Sequence, residues 1–270
     1  MYLLLVNPKA GNQRYRHIEQ PLVNLLEKLE IKYKLVLIDD LANVRDLLKQ
    51  HVKPETEAVV AVGGNGTVNT LIDALADYED LPLSIIPASK TNSLARTLGI
   101  KSWKMGAKLL ANHEIKHLRL GRIGERYFAG SLMVSPKRNL LANIFEKRSL
   151  LKSFIGANVR QLPKEEHHVA CTLKLDNLAE VHCQLNTMTI YFQDEFHKKM
   201  KIHLVTLSDN RPQNSIFRAN QIDITSSLNM PIVCGNETVA NTPIKVQGVS
   251  KTLPVLTWPQ SEKPAGRAQV

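Results

Sequence analysis

The chain has 270 residues, with 43% hydrophobic and 22% charged, enough for two modest globular domains. Thirty-five Lys and Arg against 25 Asp and Glu give a net charge of +10. This favours anionic partners: nucleotide phosphates, acidic lipid surfaces or nucleic acid. No apolar run reaches the roughly 18 residues of a membrane-spanning helix. No helix-turn-helix, aromatic RNA-binding pattern or zinc finger is present, so no nucleic-acid partner is expected.

In chain order, Tyr2–Val6 reads as a first strand. It lacks the basic flank of a signal peptide. The turn-rich loop Asn7-Pro8-Lys9-Ala10-Gly11-Asn12 follows. Ile18, Leu22, Leu25, Leu26 and Leu29 recur at helical spacing, with Pro21 expected in or kinking the helix's first turn. Lys34–Ile38 predicts a strand and Leu41–Gln50 a helix. Ala58–Val62 is a continuous apolar run of the kind buried on both faces of a sheet. A glycine-rich loop comes next, and Val68, Leu71, Ile72 and Leu75 give the following helix its apolar face. Leu83–Ile86 is a further strand, and Asn92 or Ser93 caps a helix ending near Gly99.

From about Ile115 the period changes to two. Val181–Phe192, Lys201–Leu207, Gln221–Thr225, Ile232–Cys234 and Ile244–Gln247 read as strands. The expected architecture is an α/β N-terminal domain over 1–125 with an open, largely parallel sheet. A β-rich, sandwich-like C-terminal domain over 126–259 follows, with a helical insertion at 139–162 and a polar, mobile tail at 260–270. The basic stretch 136–162 either rests on an anionic membrane or packs on the second domain. Cys171, Cys183 and Cys234 have no zinc spacing and are odd in number. They read as small buried hydrophobes in a reducing cytoplasm. The histidines offer no convincing metal spacing, and no metal ligand is assigned.

The segment Gly63-Gly64-Asn65-Gly66-Thr67 is the most informative. Its glycines let the backbone turn sharply and approach a ligand closely. The next helix points free N–H groups and the positive end of its dipole at the loop, a geometry that suits phosphate. Thr67 could cap that helix or donate its hydroxyl to phosphate. A tight structural turn is the alternative.

Gly63-Gly64-Asn65-Gly66-Thr67-Val68-Asn69 resembles the Gly-Gly-Asp-Gly-Thr-Leu-Asn signature of diacylglycerol kinases and related bacterial lipid kinases, part of which NAD kinases share. Asn7-Pro8-Lys9-Ala10-Gly11 is similar to their Asn-Pro-x-Ser/Ala-Gly loop. Pro87-Ala88-Ser89-Lys90-Thr91-Asn92-Ser93-Leu94-Ala95-Arg96-Thr97-Leu98-Gly99-Ile100 resembles their Pro-x-Gly-Thr-x-Asn-Asp-Phe-Ala-Arg-x-Leu-Gly-Ile segment. The resemblance is dense over 1–130 and looser to about 259. It implies ATP in a cleft between two domains and transfer of its γ-phosphoryl group to the hydroxyl of a diacylglycerol-like lipid. Asn7, Gly11, Gly63, Gly64, Asn65, Gly66, Thr67, Lys90 and Asn92 would then surround the nucleotide.

The departures bear on the chemistry. Asn65 stands where the family has aspartate, so support for Mg2+ weakens. Ser89-Lys90 replaces Gly-Thr, and Lys90 is either a cation near phosphate or a solvated lysine. Gly130–Pro136 carries no acid where the family has one. The family's Asp-Gly-Glu turn reads Cys234-Gly235-Asn236-Glu237, which leaves Glu237 as the surviving candidate base or as an exposed turn glutamate. The second expectation is therefore a catalytically inactive homologue binding nucleotide, lipid or a partner. Location is expected to be cytoplasmic, with peripheral contact to an anionic membrane surface. A homodimer through the second domain is compatible with these features.

Overall fold

A computed structural model describes residues 1–13, 15–89, 92–136, 169–192, 198–208 and 211–259. The expected insertion at 139–162, the tail at 260–270, Lys90 and the His167-His168 pair lie outside the described residues. The elements in chain order are β1 (Tyr2–Val6), α1 (Ala10–Gln13), α2 (Tyr15–Lys28), β2 (Tyr33–Leu37), α3 (Val44–His51), β3 (Ala58–Gly63), α4 (Asn65–Leu75), β4 (Leu83–Pro87), α5 (Ser93–Thr97) and α6 (Trp103–Leu109). Then come β5 (Glu114–Ile123), β6 (Arg126–Ala129), β7 (Ser131–Val134), β8 (Val169–Leu175), β9 (Ala179–Tyr191), β10 (Met200–Ser208), β11 (Arg211–Ala219), β12 (Gln221–Ser226), β13 (Pro231–Cys234), β14 (Glu237–Asn241) and β15 (Ile244–Thr257).

The chain forms two compact units, one of Met1–Gly130 joined by the chain from Gly248, the other of Ser131–Gln247. In the first unit the strands run in the order β2-β1-β3-β4-β15, with every one of these neighbours parallel. β1, β3 and β4 are buried along their whole length, as continuous apolar runs require when helices cover both faces. Leu22 and Leu26 of α2, Leu48 of α3 and Leu71, Ile72 and Leu75 of α4 pack into this core. The α/β character expected of the first part and the β-rich character of the second are both present.

The boundaries differ in instructive places. α2 begins at Tyr15, whose side chain is buried, so Pro21 falls inside the helix and not in its first turn. Pro21 is exposed, and the carbonyl that loses its donor can be hydrated. The helix expected from Leu41 starts as a single 3-10 turn at Leu41–Asn43, with the Asp40 carboxylate accepting from Ala42 N at 3.0 Å. The strand expected at Ile244–Gln247 continues to Thr257, where Val255 pairs with Leu83 of β4.

In the second unit β9 is the shared element. Its first half pairs antiparallel with β8 and its second half with β10 and β7. β12 joins β8, and β13 joins β7 and β14. β11 is an edge strand paired with β10. Among the described residues no helix is long and apolar enough to cross a membrane.

Candidate functional site

The order β2-β1-β3-β4 carries a consequence for binding. The chain leaves β1 to form β2 on one side, then returns to place β3 on the other side of β1. In an open parallel sheet such a reversal leaves a crevice beyond the carboxyl ends of the two strands, which is where ligands bind. Asn7 follows β1 and Gly11 lies just beyond it in α1, while Gly63 closes β3, Gly64 is the link and Asn65-Gly66-Thr67 open α4. The loop after β4 joins them from the next strand.

Direct contacts lock the three loops. Asn7 donates through Nδ2 to Thr67 Oγ1 at 3.0 Å, its N–H bonds to Val62 O, and its Oδ1 accepts from Lys9 N. Lys9 Nζ reaches the Asp39 carbonyl at 3.1 Å. Gly11 has φ +61°, and a Cβ there would lie 2.6 Å from the Ala88 carbonyl oxygen. Only glycine fits both the backbone angle and that approach. A Cβ on Gly63 would meet the Thr67 side chain at 2.5 to 2.8 Å. Gly64 differs: its φ is −98°, and a Cβ there would sit 3.6 Å from Ser89 Oγ, an ordinary contact.

Gly64 is the N-cap of α4 and has no side chain to cap the helix. The first turn of α4 carries no acidic residue. An eleven-residue helix thus presents its positive end at the crevice without a built-in counter-charge. Thr67 is 2% exposed, and its hydroxyl is the acceptor that ties the first loop to α4.

Asn65 joins the second and third loops. Its Oδ1 accepts from Ser93 N at 2.9 Å and from Ser93 Oγ at 3.2 Å. Asn92, 1% exposed, caps α5 by accepting from Ala95 N at 3.0 Å. Its Nδ2 is buried and has no partner among the described residues. Buried donors are rarely left unpaired, and this one stands next to the residue that Asn65 binds.

The loops therefore gather Asn7, Gly11, Gly63, Gly64, Asn65, Gly66, Thr67 and Asn92 in the first unit. Glu237 belongs to the second unit, where it opens β14 opposite Cys234, with Gly235 at φ +63° in the turn between them. Among the described residues no group of three or more His, Cys, Asp or Glu is placed to hold a metal ion. Asp73 of α4, the first acid after the glycine loop, accepts from Tyr127 N at 2.8 Å and pairs with Arg45 at 3.1 Å.

Ser93 and Ala88 were not singled out as site residues by the sequence, yet both hold the loops together. Their signal is the strand order, because loops after neighbouring parallel strands must lie side by side. Residue patterns along the chain do not carry that order.

Residues 1–123 match the diacylglycerol kinase catalytic domain family model. Diacylglycerol kinases of Staphylococcus epidermidis and Bacillus subtilis are 24% and 22% identical over 156 residues, covering 57% of this chain and 48% and 50% of theirs. The chain thus spans about half the length of the curated relatives it matches. An uncharacterized Synechocystis protein is 25% identical over 294 residues, covering 99% of this chain and 59% of its own. Two crystal structures from Bacillus anthracis, described as diacylglycerol kinases (one provisionally), superpose with TM-scores of 0.71 and 0.66. They are 16% and 15% identical, and each comparison covers 96% of this chain and 97% of the other. At that identity the likeness is one of fold.

Proposed function

With residues 1–123 of the diacylglycerol kinase catalytic-domain type, we propose that the loops after β1, β3 and β4 bind the phosphates of ATP and that the protein is a lipid-kinase-type phosphotransferase. The observation that carries the nucleotide reading is the uncapped N-terminus of α4 opening on the switch point between β1 and β3. The acceptor proposed is a hydroxyl of a diacylglycerol-like lipid at an anionic membrane surface.

The residues divide into three roles. Gly64, Gly66 and the first N–H groups of α4 would face the phosphates, where no Cβ keeps the ligand away. Asn7, Thr67, Asn65 and Ser93 are positioning residues, since their polar atoms hold loop to loop. Asn92 Nδ2, a buried donor with no partner among the described residues, is proposed to meet a ligand oxygen. Lys90 remains part of the proposal as a cation for the phosphates. Glu237 is the proposed base for the lipid hydroxyl.

The polyphosphate fits this set better than a magnesium ion does. Mg2+ wants hard anionic oxygens, and Asn65 offers a neutral carbonyl that already accepts from Ser93 N and Ser93 Oγ. No step is therefore assigned to a loop-held metal. The same feature favours a second reading, a homologue that binds nucleotide without transferring phosphate.

Labelled ATP with mixed vesicles of diacylglycerol and anionic phospholipid separates the two. The kinase reading expects labelled phospholipid that is lost in Glu237→Ala while ATP binding persists. Binding without any transfer, and none gained in Asn65→Asp, selects the non-catalytic homologue.

A further inference from the structure

In the second unit, β8 and β9 form an antiparallel hairpin in which Cys171 stands directly opposite Cys183. Residues opposed in this way lie on one face of the sheet, with Cα atoms roughly 4.5 to 5.5 Å apart. That range falls within the span of about 4.4 to 6.8 Å that a disulfide bridges. The alternation of β8 agrees. Val169, Cys171, Leu173 and Leu175 are buried, while Ala170 and Lys174 are exposed.

The register that opposes the two thiols is pinned. The hairpin turns through Asp176 and Asn177, at φ 51° and 57°, with Leu178 N bonded to Leu175 O at 2.9 Å. Two consecutive residues at positive φ match the twist that a tight hairpin needs. The Asp176 carboxylate also accepts from Asn220 N at 2.7 Å and Gln221 N at 2.8 Å, anchoring the turn to the start of β12. A one-residue slip would break these bonds and send the buried face of β8 outward.

Both cysteines also line one surface cleft of about 560 Å³, together with Thr172, Gln184 and Ser226. Their exposure differs: Cys171 is buried and Cys183 half-buried. We propose that Cys171 and Cys183 form a redox-modification site, a dithiol that a low-molecular-weight disulfide converts into a cross-strand cystine, with Cys183 reacting first. The Cys183 thiolate attacks one sulfur of the small disulfide, whose S–S bond breaks and releases one thiol. Cys171 then loses its proton to water and attacks Cys183 Sγ, expelling the second small thiol. Two protein thiols are oxidised, and one small disulfide is reduced to two thiols. Burial raises both protein thiols, Cys171 to about 12 with a further push from Cys183, so the exchange is slow and is best read at equilibrium.

The site stands independently of the nucleotide reading. The intact, reduced chain is held in buffers of stepped reduced-to-oxidised glutathione ratio until composition stops changing. It is then acid-quenched, alkylated in denaturant and mapped without reductant. The expected product is a monomer with a Cys171–Cys183 link and an alkylated Cys234. Cys171→Ala should accumulate glutathione on Cys183, whereas Cys183→Ala should leave Cys171 as the free thiol. Both cysteines alkylated at every ratio, or links only to Cys234 or between chains, would overturn the site. Glutathione on Cys171 in Cys183→Ala, with none on Cys183 in Cys171→Ala, would overturn the order of attack.

Discussion

Asn65 occupies the position where the kinase signature has an acid, and its Oδ1 serves as a two-donor acceptor for Ser93. An aspartate could accept both bonds equally well; an alanine could accept neither. Asn65→Asp is therefore expected to fold with little change, while Asn65→Ala should lose about 1–2 kcal/mol, measured by denaturant unfolding. Gly11 and Gly64 make a second contrast. Gly11→Ala forces a side chain into a left-handed backbone, 2.6 Å from the Ala88 carbonyl, and should cost more than about 1 kcal/mol. Gly64→Ala should cost well under about 1 kcal/mol, because its Cβ meets Ser89 Oγ at 3.6 Å on an ordinary backbone and the loss of an N-cap glycine is offset by a less flexible unfolded chain. Gly11 and Gly63 are required by the fold itself, whereas Gly64 is the glycine whose bareness only a ligand would need.

At the scale of elements, α2 fixes the exit of the first loop through Tyr15, which is buried at its start. Burial and then the neighbouring Glu19 carboxylate push the Tyr15 phenol up to about 12. In the unfolded chain the phenol would ionise near 10. Between these values the folded state keeps a proton that the unfolded state has lost. The Tyr15 contribution is thus complete below about pH 10 and is lost as pH rises toward 12. Stability should fall across that window more steeply in the wild type than in Tyr15→Phe, as read by thermal unfolding at stepped pH. The elements most legible in the sequence were those whose local pattern settles their environment. Ala58–Val62 reads as a doubly covered strand because every residue is apolar, and Gly99 ends α5 with φ +79°. Pro21 misled because a proline on a solvent-facing turn can be absorbed by a helix whose buried face starts earlier. The length of β15 was hidden because its pairing partner, β4, lies far back in the chain.

At the scale of the whole molecule, strand order decides where the site lies, and strand order is a set of long-range pairings. The sequence singles out these loops through their glycines and their resemblance to a kinase signature. It could not say that Asn65 would be spent on Ser93, or that Thr67 would be a buried tie between loops. The net charge of +10 acts at this scale too. Under the proposed membrane role, flotation with vesicles should rise with anionic lipid content and fall as salt shortens the screening length. Flotation indifferent to both would remove the membrane from the account.

Under the proposed function, the crevice at the ends of β1 and β3 holds the phosphates of ATP. Calorimetric titration of the intact chain with ATP, beside Gly64→Ala checked for folding by denaturant unfolding, tests it most directly. Saturable single-site binding is expected in the wild type, weakened at least about tenfold by the added methyl group, or roughly 1.4 kcal/mol. A folded wild type that takes up no ATP, or a Gly64→Ala chain that binds it as well as the wild type, would contradict it.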